Sequence, residues 1–187
     1  MKRGYLLILS GIVFLSANAQ DKLTADPGKT QVLWSGEKVT GEHRGTINLK
    51  SGWLQWRDNK VQAGEFVIDM TSLKDSENSQ KLEGHLKSDD FFGVEKYPTA
   101  KFVVTESTTF EKGTGVVKGN LTIKEDTHPV ELKAAMQKKD DGLWFYTTFS
   151  IDRTKFNVRY GSGTFFENLG DKTIYDDFKL RINLLLK

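Results

Sequence analysis

The chain has 187 residues, no cysteine, three histidines, and 27 basic against 25 acidic side chains. The lack of cysteine excludes disulfide bridges, thiolate catalysis and acylation of a terminal cysteine. The near balance of charge excludes the broad basic surface that nucleic-acid binding requires, so no nucleic-acid partner is expected.

The first nineteen residues have the tripartite pattern of a cleaved secretory signal. Lys2 and Arg3 precede an apolar run over residues 5–15, and Ala17 and Ala19 are the small residues that signal peptidase reads. We therefore expect residues 1–19 to be removed, and residues 20–187 to form one domain of an exported protein. The cleavage takes away two basic residues and no acidic one, which leaves 25 charges of each sign.

Most of residues 20–187 alternate apolar and polar side chains with the period of two that is typical of half-buried strands. Turn signals separate these runs, at Ser51-Gly52, Asp58-Asn59 and residues 126–129 among others, which favours antiparallel hairpins. A sheet of this length closes into a barrel or splits into a sandwich. The predicted strands, eight or nine in number, lie near residues 30–39, 42–49, 52–57, 61–70, 100–110, 114–124, 128–138, 142–152 and 173–186.

Two segments depart from the strand pattern. Leu82 and Leu86 lie four residues apart between Ser79 and Ser88, which predicts a short amphipathic helix. Residues 156–172 form a loop that combines three glycines with four aromatic side chains. Because loops are usually polar, we expect these rings to cover something apolar.

The chain offers little for catalysis. His43, His85 and His128 form no HxH or HExxH motif, so no metal site is expected. No GxSxG motif marks a nucleophilic serine. Three pairs of adjacent aspartates are explained more simply by surface turns than by general acid and base catalysis. We therefore expect no enzyme, no catalytic residue, no metal and no cofactor.

Asp69, Asp152 and Arg153 each stand at the end of a predicted strand. Asp152 and Arg153 lead into the aromatic loop, and Asp69 precedes the predicted helix. In a closed barrel these charges meet at the rim or inside it, where an arginine requires a carboxylate or an anionic ligand head. An ion pair that locks the loops is the simpler of these two explanations.

The segment HLKSDDFFGVEKYPTAKF, residues 85–102, resembles the signature of the YceI-like family. It matches the family pattern H-L-x-S-x-x-F-F-x-V-x-x-Y-P-x-A-x-F at all ten specified positions. The segments GEFVIDMTSL, GNLTIKEDTHPVEL and FSIDRTKFNVRYGSG are similar to further family segments and occur in the same order. The resemblance covers about residues 25–187.

This resemblance implies an all-β fold, an antiparallel lipocalin-like β-barrel of about eight strands with one short helix and a long aromatic loop. It also implies a periplasmic protein that sequesters or transports a long-chain isoprenoid, of the quinone or polyprenyl phosphate type, without a catalytic step. An eight-stranded barrel has room for one slender ligand. Two alternatives stay open, a lipid-modifying enzyme that uses the same cavity and an interaction or stress-response module with a solid interior. Family analogy also allows a homodimer.

Apolar and aromatic side chains of the barrel, helix and loop are the expected ligand-binding residues. His85 and Arg153 are the expected polar anchors, with Asp69 beside them. Trp53 and Trp56 fall on opposite faces of one strand, so an exposed ring is a candidate for transient membrane contact. The expected ligand-binding set is Phe66, Ile68, Leu82, His85, Leu86, Phe91, Phe92, Phe102, Phe145, Phe149, Arg153, Phe156 and Phe165.

Overall fold

Nine strands and one helix make up the described part of the chain. The computed structural model describes residues 21–187, so the predicted signal peptide at residues 1–19 lies outside the described residues. The helix α1 covers Gln80–Lys87, and two 3-10 turns cover Arg153–Phe156 and Gly170–Lys172. The strands are β1 (Asp21–Thr24), β2 (Gln31–Lys38), β3 (Gly41–Arg57), β4 (Lys60–Asp75), β5 (Thr99–Ser107), β6 (Thr114–Ile123), β7 (Asp126–Lys139), β8 (Gly142–Asp152) and β9 (Ile174–Leu186).

Eight of the strands form a closed antiparallel barrel. Each strand from β2 to β8 pairs with the next one in the chain, and the pairing of β2 with β9 closes the ring. The short strand β1 pairs with the second half of β3, where Thr24 lies opposite Trp53. A bridge from Ala25 to Leu186 then joins this end of the chain to β9. The predicted all-β antiparallel barrel with one short helix is confirmed.

The strand β3 shows how alternation builds the wall. Ile47 and Leu49 are buried on the inner side, and the residues on either side of them are exposed. The predicted turn at Ser51-Gly52 is wrong, because β3 continues to Arg57 and only its register against β4 shifts there, between Leu49 and Ser51. A Cβ atom on Gly52 would lie 2.4 Å from the ring of Phe66, so this glycine marks a close contact between strands.

The positions of the hairpin turns agree better with residues of positive φ than with the turn residues predicted from composition. Asp58 and Asn59 have positive φ angles of 53° and 55°, as a type I′ turn requires, and the predicted turn is confirmed there. The turn predicted at residues 126–129 is displaced toward the N-terminus. Lys124, with φ of 57°, and Glu125 form it, because residues 126–129 already pair with β6.

The helix α1 is held against the end of β4. The side chain of Ser79 caps it by accepting a hydrogen bond from the Leu82 N–H at 3.3 Å. The Glu83 carboxylate accepts one hydrogen bond from Lys74 Nζ at 2.9 Å and another from the Asp75 N–H at 3.1 Å. The bond from Lys74 is the main reason that the pKa of Glu83 lies below its ordinary value. These contacts fix the helix over one end of the barrel, which we call the upper end.

The opposite end, the base, is closed by aromatic rings. Trp56, Phe110 and Phe145 pack edge to face, with ring centroids 5.3 to 5.7 Å apart. Trp53 lies on the outer face of β3 beneath Lys22 Nζ, which confirms that the two tryptophans face opposite sides. No helix within residues 21–187 has both the length and the apolar character needed to cross a bilayer.

Candidate ligand-binding cavity

The barrel encloses an apolar cavity of about 540 Å³. All eight barrel strands, α1 and the loop after β8 contribute side chains to its wall. The volume lies within the range of roughly 300–1,000 Å³ that is usual for small-molecule sites. The cavity opens at the upper end through a polar rim, the mouth. Its side chains are those of Glu37, Lys38, His43, Tyr160, Asp171, Lys172 and Tyr175.

Eleven of the thirteen expected ligand-binding residues line this cavity. Those on the strands do so because they share the inward parity of the buried positions beside them. Those on α1 and in the segment that follows it cover the upper part of the space. The eleven are Phe66, Ile68, Leu82, His85, Leu86, Phe91, Phe92, Phe102, Phe145, Phe149 and Arg153.

The other two expected residues, Phe156 and Phe165, lie outside the cavity lining. Phe156 is 1% exposed and packs edge-on against the His128 ring at 5.2 Å, where it seals the loop onto β7. Phe165 is 44% exposed, with the Arg159 guanidinium 4.5 Å above its ring. The 3-10 turn at Arg153–Phe156 directs the Phe156 ring beneath the loop, whereas the Phe165 ring lies on the outside.

Arg153 is 3% exposed, and each of the five N–H groups on its guanidinium has an acceptor. The bonds run at 2.8 to 3.4 Å to four backbone carbonyl groups and one carboxylate, those of Val158, Tyr160, Ile174, Tyr175 and Asp176. No N–H group is left for a ligand head. Arg153 therefore joins the aromatic loop to the start of β9.

Burial and charge act in opposite directions on this ion pair. Burial lowers the pKa of Arg153, while the nearby charges of Asp176 and Asp152 partly offset that effect. Burial also tends to raise the pKa of Asp176, but hydrogen bonds from Ser162 and Thr164 and the Arg153 charge bring it below its ordinary value. Asp176 is therefore ionised at neutral pH, and it faces a guanidinium, which proteins do not deprotonate.

Asp69 does not meet Arg153, so the expected shared network of the two charges is absent. The Asp69 carboxylate instead accepts hydrogen bonds from the N–H and the hydroxyl group of Thr71, at 3.0 and 2.6 Å. Ser72 donates to the Asp69 carbonyl and accepts from the Asn48 N–H. Asp69 thus shapes the irregular stretch of β4 at which its register against β3 shifts.

His85 lies among aromatic rings at the upper end of the cavity. It packs edge-on against Phe91, with centroids 5.1 Å apart, and against Tyr160 at 4.5 Å. His85 belongs to α1 and Tyr160 to the loop after β8, so this contact holds the helix to the loop. The imidazole also contributes to the cavity wall.

Several lining residues were not predicted, although the alternation of apolar and polar side chains could have identified them. Trp34 is two residues from buried Val32, and Phe178 is two residues before Leu180 in the apolar series of β9. His43 lies in β3, within the strand predicted over residues 42–49, and reaches the mouth.

The titratable side chains of the cavity wall lie at its upper end. Within residues 21–187, no three His, Asp or Glu side chains are grouped in a way that could hold a metal ion. His43 and His85 line the cavity, whereas His128 packs against Phe156. The site can therefore enclose an apolar molecule and offer hydrogen bonds to whatever part of it reaches the mouth.

The chain is similar to known proteins in sequence and in fold. A UPF0312 protein of Pseudomonas putida strain W619 is 29% identical over 170 residues, which cover 85% of this chain and 88% of the relative. The Burkholderia cenocepacia protein BcnA superposes with a TM-score of 0.71 at 21% identity, over 87% of this chain and 99% of that one. A polyisoprenoid binding domain from Saccharophagus degradans, implicated in plant cell wall breakdown, has a TM-score of 0.66 at 13% identity, over 88% and 97% of the chains.

The family profile described as a YceI-like domain matches residues 23–186. This span includes all eight barrel strands, α1 and the loop after β8. The chain therefore belongs to the YceI-like family.

Proposed function

We propose that the protein is an exported carrier that holds one long-chain isoprenoid, of the quinone or polyprenyl phosphate type, inside the barrel. The observation that carries this proposal is the apolar cavity of about 540 Å³, which opens at a polar mouth. A fold neighbour described as a polyisoprenoid binding domain supports the choice of ligand class. The proposal includes no catalytic step and no cofactor other than this lipid.

The physical basis of retention is the transfer of an apolar tail out of water. Each buried CH₂-sized unit contributes about 0.8 kcal/mol before the entropic cost of ordering the chain. Phe66, Phe102 and Phe149 present rings along the wall, so a flexible tail finds apolar contact over its whole length. Strong binding then requires few specific polar contacts.

The polar head would remain at the mouth. Arg153 cannot bind it, since its N–H groups are all occupied by protein acceptors. Lys38, Lys172 and His43 line the opening and are the side chains that can meet a head group. The interior would therefore select the tail, and these three side chains would contribute to the choice of head.

The proposed place of action is the periplasm, and it depends on residues 1–19. Their charged start, apolar run and small-residue end support removal by signal peptidase. Mass spectrometry of the protein from its own host, with an N-terminus at Gln20, would support export. An N-terminus at Met1 would contradict it.

Lipid extraction is the direct test of the function. Protein purified from its own host is extracted with organic solvent, and the extract is analysed by mass spectrometry. We expect about one isoprenoid per barrel. Recovery of no stoichiometric lipid, together with failure to bind an added quinone or polyprenyl phosphate, would overturn the proposal.

A fluorescence measurement locates the ligand. Trp34 lines the cavity, whereas Trp53 and Trp144 are not part of its wall. A bound quinone should quench Trp34, and Trp34→Phe should lose most of that quenching while still retaining quinone in the extraction assay. Quenching that survives in Trp34→Phe would place the quinone elsewhere.

A matched pair of variants tests whether the interior is needed. Gly36 faces the cavity with no atom within 4 Å of the position its Cβ would take, so Gly36→Phe should narrow the space and reduce binding. Val103→Phe adds the same ring to the exposed outer wall and should bind as the wild type does. Equal binding by both variants would exclude the barrel interior as the site.

A further inference from the structure

The exposed apolar side chains of the described chain are concentrated around the mouth. Within residues 21–187, six large apolar side chains are more than about a third exposed. Only Val103 lies on the outer wall of the barrel, since its neighbours on either side line the cavity. The other five, which we call the collar, are Val39, Tyr160, Phe165, Phe166 and Tyr175.

Each side chain of the collar is placed by an ordered backbone. Tyr160 and Tyr175 line the cavity opening directly. The N–H of Val39 donates to the Thr173 carbonyl at 3.1 Å, which brings the turn between β2 and β3 next to Tyr175. Val39, Tyr160 and Tyr175 therefore lie at or next to the opening.

The two adjacent phenylalanines are held in the same region by a buried serine. The N–H groups of Phe165 and Phe166 donate to the Ser162 carbonyl at 3.2 and 3.0 Å. Ser162 is fully buried and bridges Ile174, which lines the cavity. The turn thus holds both phenylalanines next to the start of β9 at the upper end, with 44% and 51% of their surfaces exposed.

Exposed apolar side chains such as those of the collar are unfavourable in water and are stabilised when they contact another apolar surface. Contiguous apolar patches on a soluble protein mark the places where it contacts another apolar surface. Aromatic side chains are favoured at the boundary between lipid and water, because their rings enter the apolar layer while their polar groups stay hydrated. Two tyrosines and two phenylalanines around one opening fit that environment.

The charges around the collar are mixed in sign. Arg159 stacks on the Phe165 ring at 4.5 Å, and Lys38 and Lys172 line the mouth. Glu37 and Asp171 line it as well, so the region carries no strong excess of either charge. A surface of this kind suits zwitterionic phospholipids, and its binding should depend little on salt.

We propose that the collar docks the protein, mouth first, onto the surface of a phospholipid bilayer, so that the isoprenoid passes between membrane and cavity without crossing water. This inference depends on the proposed function, because a lipid ligand is what gives the mouth a reason to meet a bilayer. Trp53 and Trp56, one of which the sequence made a candidate for membrane contact, lie on the half of β3 nearer the base and take no part.

Vesicle flotation and lipid exchange test the proposal. Purified protein is mixed with phosphatidylcholine vesicles, and both bound protein and the rate of quinone transfer from donor to acceptor vesicles are measured. The double variant Phe165→Ser, Phe166→Ser should lower both by about tenfold or more, since two half-exposed rings lose their apolar contact. Val103→Ser removes an exposed apolar side chain from the outer wall and should match the wild type.

A second measurement separates docking from ligand capture. Quinone delivered in detergent should bind the double variant as well as it binds the wild type, because neither phenylalanine lines the cavity. If the wild type binds no quinone in detergent, the proposed function is wrong. If the wild type binds quinone but does not bind vesicles, only the docking proposal is wrong. The same holds if the double variant binds vesicles as well as the wild type does.

Two further results would decide between a bilayer and a second copy of the chain. The proposal would be overturned if the wild type sediments as a dimer and binds no vesicles, while the double variant sediments as a monomer. The collar would then be an interface between two copies of the chain.

Tyr175→Ser provides a second substitution if the double variant unfolds. Vesicle binding that persists from about 0.05 to 0.5 M salt would support the apolar mechanism, and its loss would contradict it.

Discussion

A buried guanidinium is stable only when its N–H groups find acceptors, and Arg153 finds five within 3.4 Å. Four of these acceptors are backbone carbonyls on two separate segments, the aromatic loop and the start of β9. The position of the loop therefore depends on the planar fork of an arginine rather than on positive charge alone. The same side chain also approaches the Phe91 ring, with 5.7 Å between guanidinium carbon and centroid.

Arg153→Lys should lower the free energy of unfolding by about 3 kcal/mol, because lysine keeps the charge but cannot reach all five acceptors. Urea titration followed by circular dichroism measures the change. Arg159→Lys alters an exposed arginine of the same loop and should change stability by less than about 0.5 kcal/mol. Equal effects of the two substitutions would show that the guanidinium contacts do not hold the loop.

Asp176 should make this lock sensitive to acid. The pKa of Asp176 is lowered from an ordinary 3.8 in the folded protein, so its contribution is present above pH 3.8 and is lost as the pH falls through the lowered value. The difference in melting temperature between the wild type and Asp176→Asn should be largest near pH 6 and should shrink below about pH 4. A difference that stays constant over this range would contradict the assignment.

At the scale of elements, two glycines of neighbouring strands have opposite surroundings. A Cβ atom on Gly45 in β3 would lie 1.9 Å from the Lys74 carbonyl oxygen of β4 and 2.5 Å from the Trp34 ring. Gly36 in β2 faces open space inside the cavity. The first glycine allows strands to approach closely, and the second leaves the mouth wide.

Gly45→Ala should therefore destabilise the barrel by several degrees in melting temperature, because its methyl group meets backbone that cannot move aside. Gly36→Ala should leave the melting temperature nearly unchanged. Differential scanning calorimetry compares the two variants under one condition. A neutral Gly45→Ala would mean that β3 and β4 separate easily at this point.

The strands were predictable because alternation is strong wherever one face is buried, as in the apolar series of β6 and β9. The break at Ser51-Gly52 was wrong because a glycine at a close contact has the same composition signal as a glycine in a turn. The strand β1 was missed, since its four residues gain their place by pairing with β3 and no local pattern marks it. Local composition cannot report contacts between distant segments.

At the scale of the whole molecule, closure of the barrel turns alternation into a site. The lining residues were largely predictable, because every inward position of a closed eight-stranded barrel faces the same space. The contacts of Asp69 and Phe156 were not predictable from the sequence. They depend on the irregular stretch in β4 and on the 3-10 turn after β8, which only the assembled chain defines.

The depth of the cavity should set the preferred length of the isoprenoid. Ala134 lines the cavity and belongs to the apolar layer near the base, so Ala134→Phe should shorten the space. Exclusion of even two CH₂-sized units costs about 1.6 kcal/mol, so the affinity for a long-chain quinone should fall about tenfold relative to a short-chain one.

Competition between quinones of two chain lengths measures this ratio. The control is Ala135→Phe, because the neighbouring residue does not line the cavity and should leave the ratio unchanged. A ratio that stays constant in Ala134→Phe would mean that the tail does not reach this layer.

The rings of Trp56, Phe110 and Phe145 make the barrel blind at its base, and this fixes the order in which the two ends of a ligand travel. A long molecule that enters such a space leads with its tail and departs with its head in front. If the protein is the carrier proposed above, an acceptor would therefore contact the head group while the tail is still buried in the barrel. A barrel open at both ends would impose no such order on the head and the tail.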